Sequence, residues 1–274
     1  MEILDWNPAW SETVWDAQLV RRFHETEFDL IVTDEKSALE NLSLDAALLH
    51  SVAAGTRGPV TWFWDWSEAS VILGSYQSVM NEFDEAMARE LGFTFARRVS
   101  GGGAMIVEPG KTITYSLVVP DGFLEGLSFV QSFSFLDHWC VQALRSIGIP
   151  ATYKPINDIA SPQGKIGGAA QCRRKKTALH HTAMAYDLDN ETMRKLLRHG
   201  QSKPNGKGIH STEKIVSPLC MLTDLTHAEL RQFLRDAFSQ MFRTKASVFT
   251  DAEIADSKDH LERLSSKEWL CRVE

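Results

Sequence analysis

The sequence has no Cys-x-x-Cys pair, no apolar run long enough to cross a bilayer, no internal repeat, no low-complexity linker and no surplus of positive charge. Its four cysteines, Cys140, Cys172, Cys220 and Cys271, stand far apart. That spacing argues against a zinc site and a disulfide framework, and it predicts reduced thiols. A formal net charge of -7 disfavours bulk attraction to nucleic acid or anionic membranes, so any anion site must be built locally. The N-terminus, "MEILDWNPAWSETVWDAQLVRRF", carries acidic residues where a secretory leader has basic ones. The expectation is a cytoplasmic protein with neither a membrane nor a nucleic acid as partner. With no break in composition, one domain over residues 1–274 is the default.

Against these absences stand 43% hydrophobic and 24% charged residues, enough for a substantial core. The stretch "ENLSLDAALLHSV" places Leu42, Leu44, Leu48 and Leu49 near one helical face, and "TWFWDW" and "SVILGSY" read as two short strands. Residues 80–91, "MNEFDEAMAREL", read as an amphipathic helix stopped by Gly92, and "FTFARRVS" as a strand running into glycines. "AMIV" and "TITYSLVVP" flank "EPGK" and predict a hairpin turning at Pro109 and Gly110. A helix over 128–147 is followed by strand-like segments in "ATYKPINDIA", "KIGGAAQCRR" and "ALHHTAMAYDLD", then by helices near 190–199 and 226–242. This is an α+β order rather than a regular βαβ alternation.

The stretch "RRVSGGGAMIVEPGKTITYS", residues 97–116, raises the question of a phosphate loop. A P-loop needs G-x-x-x-x-G-K-[ST], but the position of the first glycine is held by Met105, so "GKT" reads as a turn with a solvated lysine. Gly101, Gly102 and Gly103 fit either a tight turn or a loop whose backbone approaches a ligand. One glycine serves most turns, and Arg97 and Arg98 have the planar geometry suited to phosphate or carboxylate, so we read a ligand loop. A second run, "GKIGGAAQ", holds Lys165, Gly167 and Gly168, and two such loops can face one ligand. Between them, Asn157 and Asp158 either orient a nucleotide or a metal or form a plain turn. His180 and His181 on one strand point to opposite faces, so at most one joins a site, and neither reads as a metal ligand.

In this order and with these gaps, "RRVSGGGAMIVEPGKTITYS", "NDI", "GKIGGAAQ" and "HHT" resemble the catalytic domain of the lipoate-protein ligase family, which is similar in fold to biotin-protein ligases. "NLSLDAALL", "GSYQ" at 74–77 and "KEWL" near the end extend the resemblance over nearly the whole chain. It implies an α+β fold of the class II aminoacyl-tRNA synthetase and biotin-protein ligase type, with a mostly antiparallel sheet. It also implies a two-step reaction. Lipoate or octanoate reacts with ATP, with Mg²⁺ as cofactor, to give an acyl-adenylate and pyrophosphate. The acyl group then moves to a lysine of a lipoyl-acceptor domain, of the 2-oxoacid dehydrogenase E2 or glycine cleavage H protein type. Carried over by position, Arg98 and the backbone of Gly101, Gly102, Gly103, Ala104, Met105 and Ile106 contact ATP or the adenylate. Lys165 bridges the acyl carbonyl and the α-phosphate, stabilising charge on the carbonyl oxygen. Asn157 and Asp158 lie near the phosphates or Mg²⁺, with Asp158 as the metal ligand. Gly167 and Gly168 let the backbone approach the adenylate, and His181 completes the set.

The sequence also departs from the family pattern. Where the family's glycine segment continues into a histidine and an acidic residue, this chain has Val107 and Glu108, which implies a different acyl pocket. It also stops about where the catalytic domain ends, which implies a separate accessory subunit for the small C-terminal domain of full-length ligases. Related octanoyltransferases use no ATP and carry the acyl group on a cysteine. One group places the cysteine in "PCG" after the histidine strand, and "SPLCML" puts Cys220 one residue late. A second group places it near positions matching Pro150 to Lys154, where no cysteine stands. Cys172 lies near the site but matches neither. A non-catalytic subunit that keeps the fold is the third reading. Finally, the cations from Arg173 to Lys176 read as a solvated turn or as a rim that steers an acidic acceptor.

Overall fold

The computed structural model describes residues 15–198 and 214–273. Most of the N-terminal stretch read above for a leader lies outside them, as does the end of the helix expected near 190–199. The chain opens with α1 (Ala17–Glu25), β1 (Glu27–Val32), α2 (Ala38–Ala53), β2 (Val60–Trp64) and β3 (Ser70–Leu73). Next come α3 (Val79–Glu82), α4 (Glu85–Glu90), β4 (Thr94–Arg97), β5 (Met105–Val107), β6 (Thr112–Pro120) and α5 (Phe129–Ser146). A run of strands follows: β7 (Thr152–Lys154), β8 (Asp158–Ser161), β9 (Gly164–Arg174) and β10 (Thr177–Ala185). It ends with α6 (Asn190–Leu196), α7 (His227–Met241), β11 (Arg243–Ser247), α8 (Asp251–Ser265) and α9 (Lys267–Leu270).

Among the described residues the main sheet runs β11-β1-β2-β6-β10-β9-β8-β7. Only β11–β1 and β1–β2 are parallel, so the sheet is mostly antiparallel, as expected. A second sheet has the order β4-β3-β5. Both faces of the main sheet are covered, and β2 shows how alternation serves each. Phe63 joins the core formed with α5 and α7, beside Tyr115, Trp139 and Phe238. Trp62 and Trp64 point the other way, into the core formed with α2, the small sheet and Leu264 of α8. Helix α2 is enclosed on nearly all sides, and Leu42, Leu44, Leu48 and Leu49 are all buried.

Two local expectations are corrected. Strands β5 and β6 do not form a hairpin: β5 pairs with β3 in the small sheet, while β6 pairs with β2 and β10 in the main one. The turn at Pro109 and Gly110 is real, with Gly110 at φ +66°, but it carries the chain between sheets. Turn chemistry marks a reversal without choosing the partner, and β6, buried along nearly its whole length, takes two neighbours in the main sheet. The helix expected over 80–91 is broken at Phe83, whose side chain is fully buried and whose backbone bridges Leu197. Asp84 then caps a new helix by accepting from Met87 N.

Candidate active site

One cavity of about 630 Å³ opens where β9 and β10 face the small sheet and the β7–β8 turn. It is lined by every residue that the family resemblance placed at the site: Arg98, Gly101 to Ile106, Asn157, Asp158, Lys165, Gly167, Gly168 and His181. The two glycine runs do face one space. They differ in kind, however, because Gly167 and Gly168 lie inside strand β9 rather than in a loop.

Lys165 reaches the cavity through a register shift. Asp158 pairs with Gly168 and Ile159 with Gly167, but Ala160 pairs with Lys165, so Ile166 is an extra residue in β9. The bulge turns Lys165 onto the face shared by Asp158 and Gly168. Its side chain lies flat across Gly168: a Cβ there would stand 2.6 Å from Nζ. Nζ is 2.9 Å from Asp158 Oδ1, and Lys214 Nζ bonds the other oxygen, Oδ2. Lys214 arrives on a segment whose backbone clasps Lys165, with Lys165 N donating to Ile215 O at 2.8 Å and Ser217 N to Lys165 O at 2.8 Å. Burial lowers the Lys165 pKa from its ordinary value, the carboxylate of Asp158 opposes that, and Lys214 and Arg98 reinforce it.

The glycine loop is held from within by Arg98. Its Nη2 donates to Gly101 O at 2.7 Å and Gly103 O at 2.8 Å, Nη1 to Ile72 O, and Nε to Ser100 Oγ at 3.0 Å. Burial, and then Arg97, lowers the Arg98 pKa to about 10. Gly102 sits at φ +90°, and its carbonyl oxygen passes so close to Gly74 that a Cβ at position 74 would overlap it. Arg97 does not share the task read for it. It is fully buried, and it donates to Gly74 O, Gln77 O and Leu270 O, tying the "GSYQ" turn to α9.

His181 is gripped at both nitrogens: Nδ1 is 2.7 Å from Asp45 Oδ2 and Nε2 is 2.7 Å from Ser100 Oγ. Burial lowers its pKa while Asp45 opposes. With the ring neutral, every proton in the line has one assignment. Arg98 Nε–H donates to Ser100, Ser100 O–H to Nε2, and Nδ1–H to Asp45. His180 faces the opposite side, where it meets Asp137 Oδ1 at 2.7 Å within a buried group that includes Tyr115 and Thr182.

Asn157 spends its amide on the strand, donating to Ala169 O at 2.6 Å. Asp158, the expected Mg²⁺ ligand, already has both oxygens on lysines. Among the described residues it is the only carboxylate lining the cavity, and these residues do not form a protein-built Mg²⁺ site of the oxygen-rich kind. Among the described residues three cations, Arg98, Lys165 and Lys214, therefore face one carboxylate, and the remaining wall includes Leu42, Trp64, Ile106, Met184, Leu188 and Val216. The arrangement suits a ligand with an anionic part and an apolar part.

None of the cysteines lines the cavity. Cys140 is buried in the α5 core and Cys172 in the α2 core. Cys220 donates to Asp187 Oδ1 at 3.4 Å, and burial and that carboxylate push its thiol up, away from the thiolate a nucleophile needs. The run Arg173 to Lys176 is also displaced from its expected place. Lys175 and Lys176, at φ +48° and +62°, form the β9–β10 turn at the far end of the strand from Lys165. Only Arg173 approaches the cavity, over the ring of Phe129 at 5.6 Å.

The sequence reading missed Lys214, Asp45 and Ser100. Ser100 stood inside the quoted glycine motif and Asp45 inside "NLSLDAALL", whereas nothing around Lys214 signals a partner for a motif about fifty residues earlier.

Residues 37–239 match the family model of the lipoyl protein ligase A/B catalytic domain. Octanoyltransferase LipM from Staphylococcus aureus is 24% identical over 277 residues, covering 89% of this chain and 98% of that protein. Among solved structures, the bi-partite lipoate protein ligase of Thermoplasma acidophilum, studied with its E2 lipoyl domain, has a TM-score of 0.74 at 22% identity, covering 89% of this chain and 96% of that one. A lipoate-protein ligase A bound with ATP also has a TM-score of 0.74, at 23% identity, covering 89% and 98%.

Proposed function

The chain belongs to the lipoyl protein ligase A/B catalytic domain family, and from that premise we propose that it joins lipoate or octanoate to an acceptor lysine through an acyl-adenylate made from ATP. The observation that favours an adenylate over a thioester is the cavity wall itself, which among the described residues offers three cations and no thiol.

In the first step a carboxylate oxygen of the acid attacks the α-phosphorus, and the bond from that phosphorus to the pyrophosphate oxygen breaks. Two anions must be brought together, which costs Coulomb energy unless fixed positive charge offsets it. Lys165 bridges the acyl oxygen and the α-phosphate, while Arg98 shapes the loop whose amides face the phosphates. Mg²⁺ enters with ATP as part of the substrate, held mainly by phosphate oxygens. In the second step the acceptor amine attacks the acyl carbonyl carbon, the carbon–oxygen bond to AMP breaks, and the amine sheds a proton to solvent. The apolar wall takes the acyl chain and keeps water from the anhydride. An acceptor of the E2 lipoyl-domain or H-protein type and a separate accessory subunit complete the proposal, the latter by analogy with the bi-partite archaeal ligase.

The LipM relative supports a second reading, transfer of an octanoyl group without ATP. Exchange of labelled pyrophosphate into ATP separates the two. The ligase gives exchange only with lipoate or octanoate present, and Cys172→Ser and Cys220→Ser variants retain it. Acceptor modification from an octanoyl-carrier protein alone, with an acyl-thioester trapped on the chain, would assign the transferase instead.

A further inference from the structure

Away from the cavity, three metal-ligating side chains converge where the last turn of α2 meets α8. His50 Nδ1 lies 3.0 Å from Asp256 Oδ2, and His260 Nε2 lies 3.4 Å from the same oxygen. One ligand atom from each residue is within 4.8 Å of the other two. Ligands at zinc's usual distances sit at tetrahedral edges of about 3.3–3.6 Å, and the two edges to Asp256 Oδ2 are near that spacing. A hydrogen-bonded His–Asp pair accounts for His50 and Asp256 alone. It leaves the buried His260 Nε2 3.4 Å from the same oxygen, so that two imidazoles converge on one carboxylate oxygen.

We propose that His50, Asp256 and His260 bind a divalent zinc-type cation that pins α8 to α2. Two imidazole nitrogens and one carboxylate oxygen are a donor set suited to zinc, and the exposed side of His50 leaves the fourth position to water. The two helices matter to the cavity: α2 carries Asp45, which holds His181, and α8 leads into α9, whose Leu270 O receives Arg97. One neighbour opposes binding. Arg263 Nη2 is 3.2 Å from His260 Nδ1, and ligation at Nε2 puts the ring proton on Nδ1. The guanidinium must then withdraw toward the Trp269 ring, whose centroid is 5.0 Å away.

The test uses the full chain, stripped with a chelator and titrated with zinc chloride against a chromophoric zinc indicator. Cobalt titration followed by visible absorption reports the geometry. One ion per chain is expected, lost in the double variant His50→Ala/His260→Ala and weakened at least ~10-fold in Asp256→Asn. Zinc should raise the melting midpoint of the wild type but not of the double variant. Arg263→Gln should bind more tightly, and weaker binding there would sink Nε2 as the ligand atom. Equal affinity in wild type and double variant, or no saturable binding, overturns the proposal.

Discussion

Lys165 lies across Gly168 so closely that a methyl carbon at position 168 would stand 2.6 Å from its ammonium and 3.0 Å from Cε. The neighbouring glycine is confined differently, since a Cβ at 167 would meet Met184 Cγ at 2.6 Å and the backbone oxygen of Ala183 at 2.8 Å. The two substitutions should therefore separate. Gly168→Ala displaces a flexible side-chain end, so pyrophosphate exchange should fall ~10–100-fold with little change in melting midpoint. Gly167→Ala presses on backbone, and the midpoint should fall. If Gly168→Ala exchanges normally, the lysine's resting place does not bear on catalysis.

Removing the ammonium outright should cost more. Lys165→Ala is expected to lower exchange by at least ~100-fold, with little rescue by Lys165→Arg, whose planar fork does not fit between Asp158 and the ligand. The role requires the protonated form, and the Lys165 pKa is lowered by burial, with Lys214 acting in the same direction. Exchange should therefore fall on the alkaline side at a lower pH than an ordinary lysine would set. Lys214→Met removes a like charge, so the alkaline limb should move to higher pH. A limb that stays put means that another group titrates there.

Asp45 and Ser100 make His181 a link between α2 and the glycine loop. Asp45→Ala leaves the buried Nδ1–H without an acceptor, at a cost of about 1–3 kcal/mol in denaturant unfolding, and should raise KM for ATP by loosening the loop. His181 adds a pH term. Its folded pKa is lowered, so below about pH 6.5 the unfolded chain binds the extra proton and stability drains away as pH falls. A His181→Gln variant lacks this term. It should be less stable than wild type near pH 7.5, and the gap should narrow toward about pH 5. A constant gap would mean that His181 does not titrate in this way.

What could be read from the sequence was local. The glycine runs, Lys165 and His181 announce themselves through residue types within a few positions, and they do meet at one cavity. Lys214 and the β5–β3 pairing depend on which distant segments come together, and periodicity holds no such information. Arg97 shows the converse error. Its neighbour Arg98 lines the cavity, but the alternation of β4 sends Arg97 toward α9, where carbonyls rather than a ligand take its donors. The glycines at 167 and 168 were legible as close approach, yet the approaching group at 168 is the chain's own lysine.

The cationic turn of β9 and β10 tests how the acceptor docks. Lys175 and Lys176 project at the strand end, about 30 Å along β9 from Lys165, too far to touch the reacting atoms. Arg173 is the wrong residue to alter, because it packs over Phe129 on the cavity wall. Arg174 and Lys175 are free of that contact. On an acidic chain such a patch acts through long-range attraction, which sets encounter rate and not chemistry. The double variant Arg174→Glu/Lys175→Glu should raise the apparent KM for an acidic acceptor and flatten its dependence on salt. Acid-dependent pyrophosphate exchange, which needs no acceptor, should remain at the wild-type rate. A loss of exchange would show that the turn reaches the cavity after all, and unchanged acceptor kinetics at low salt would leave it as a solvated hairpin end.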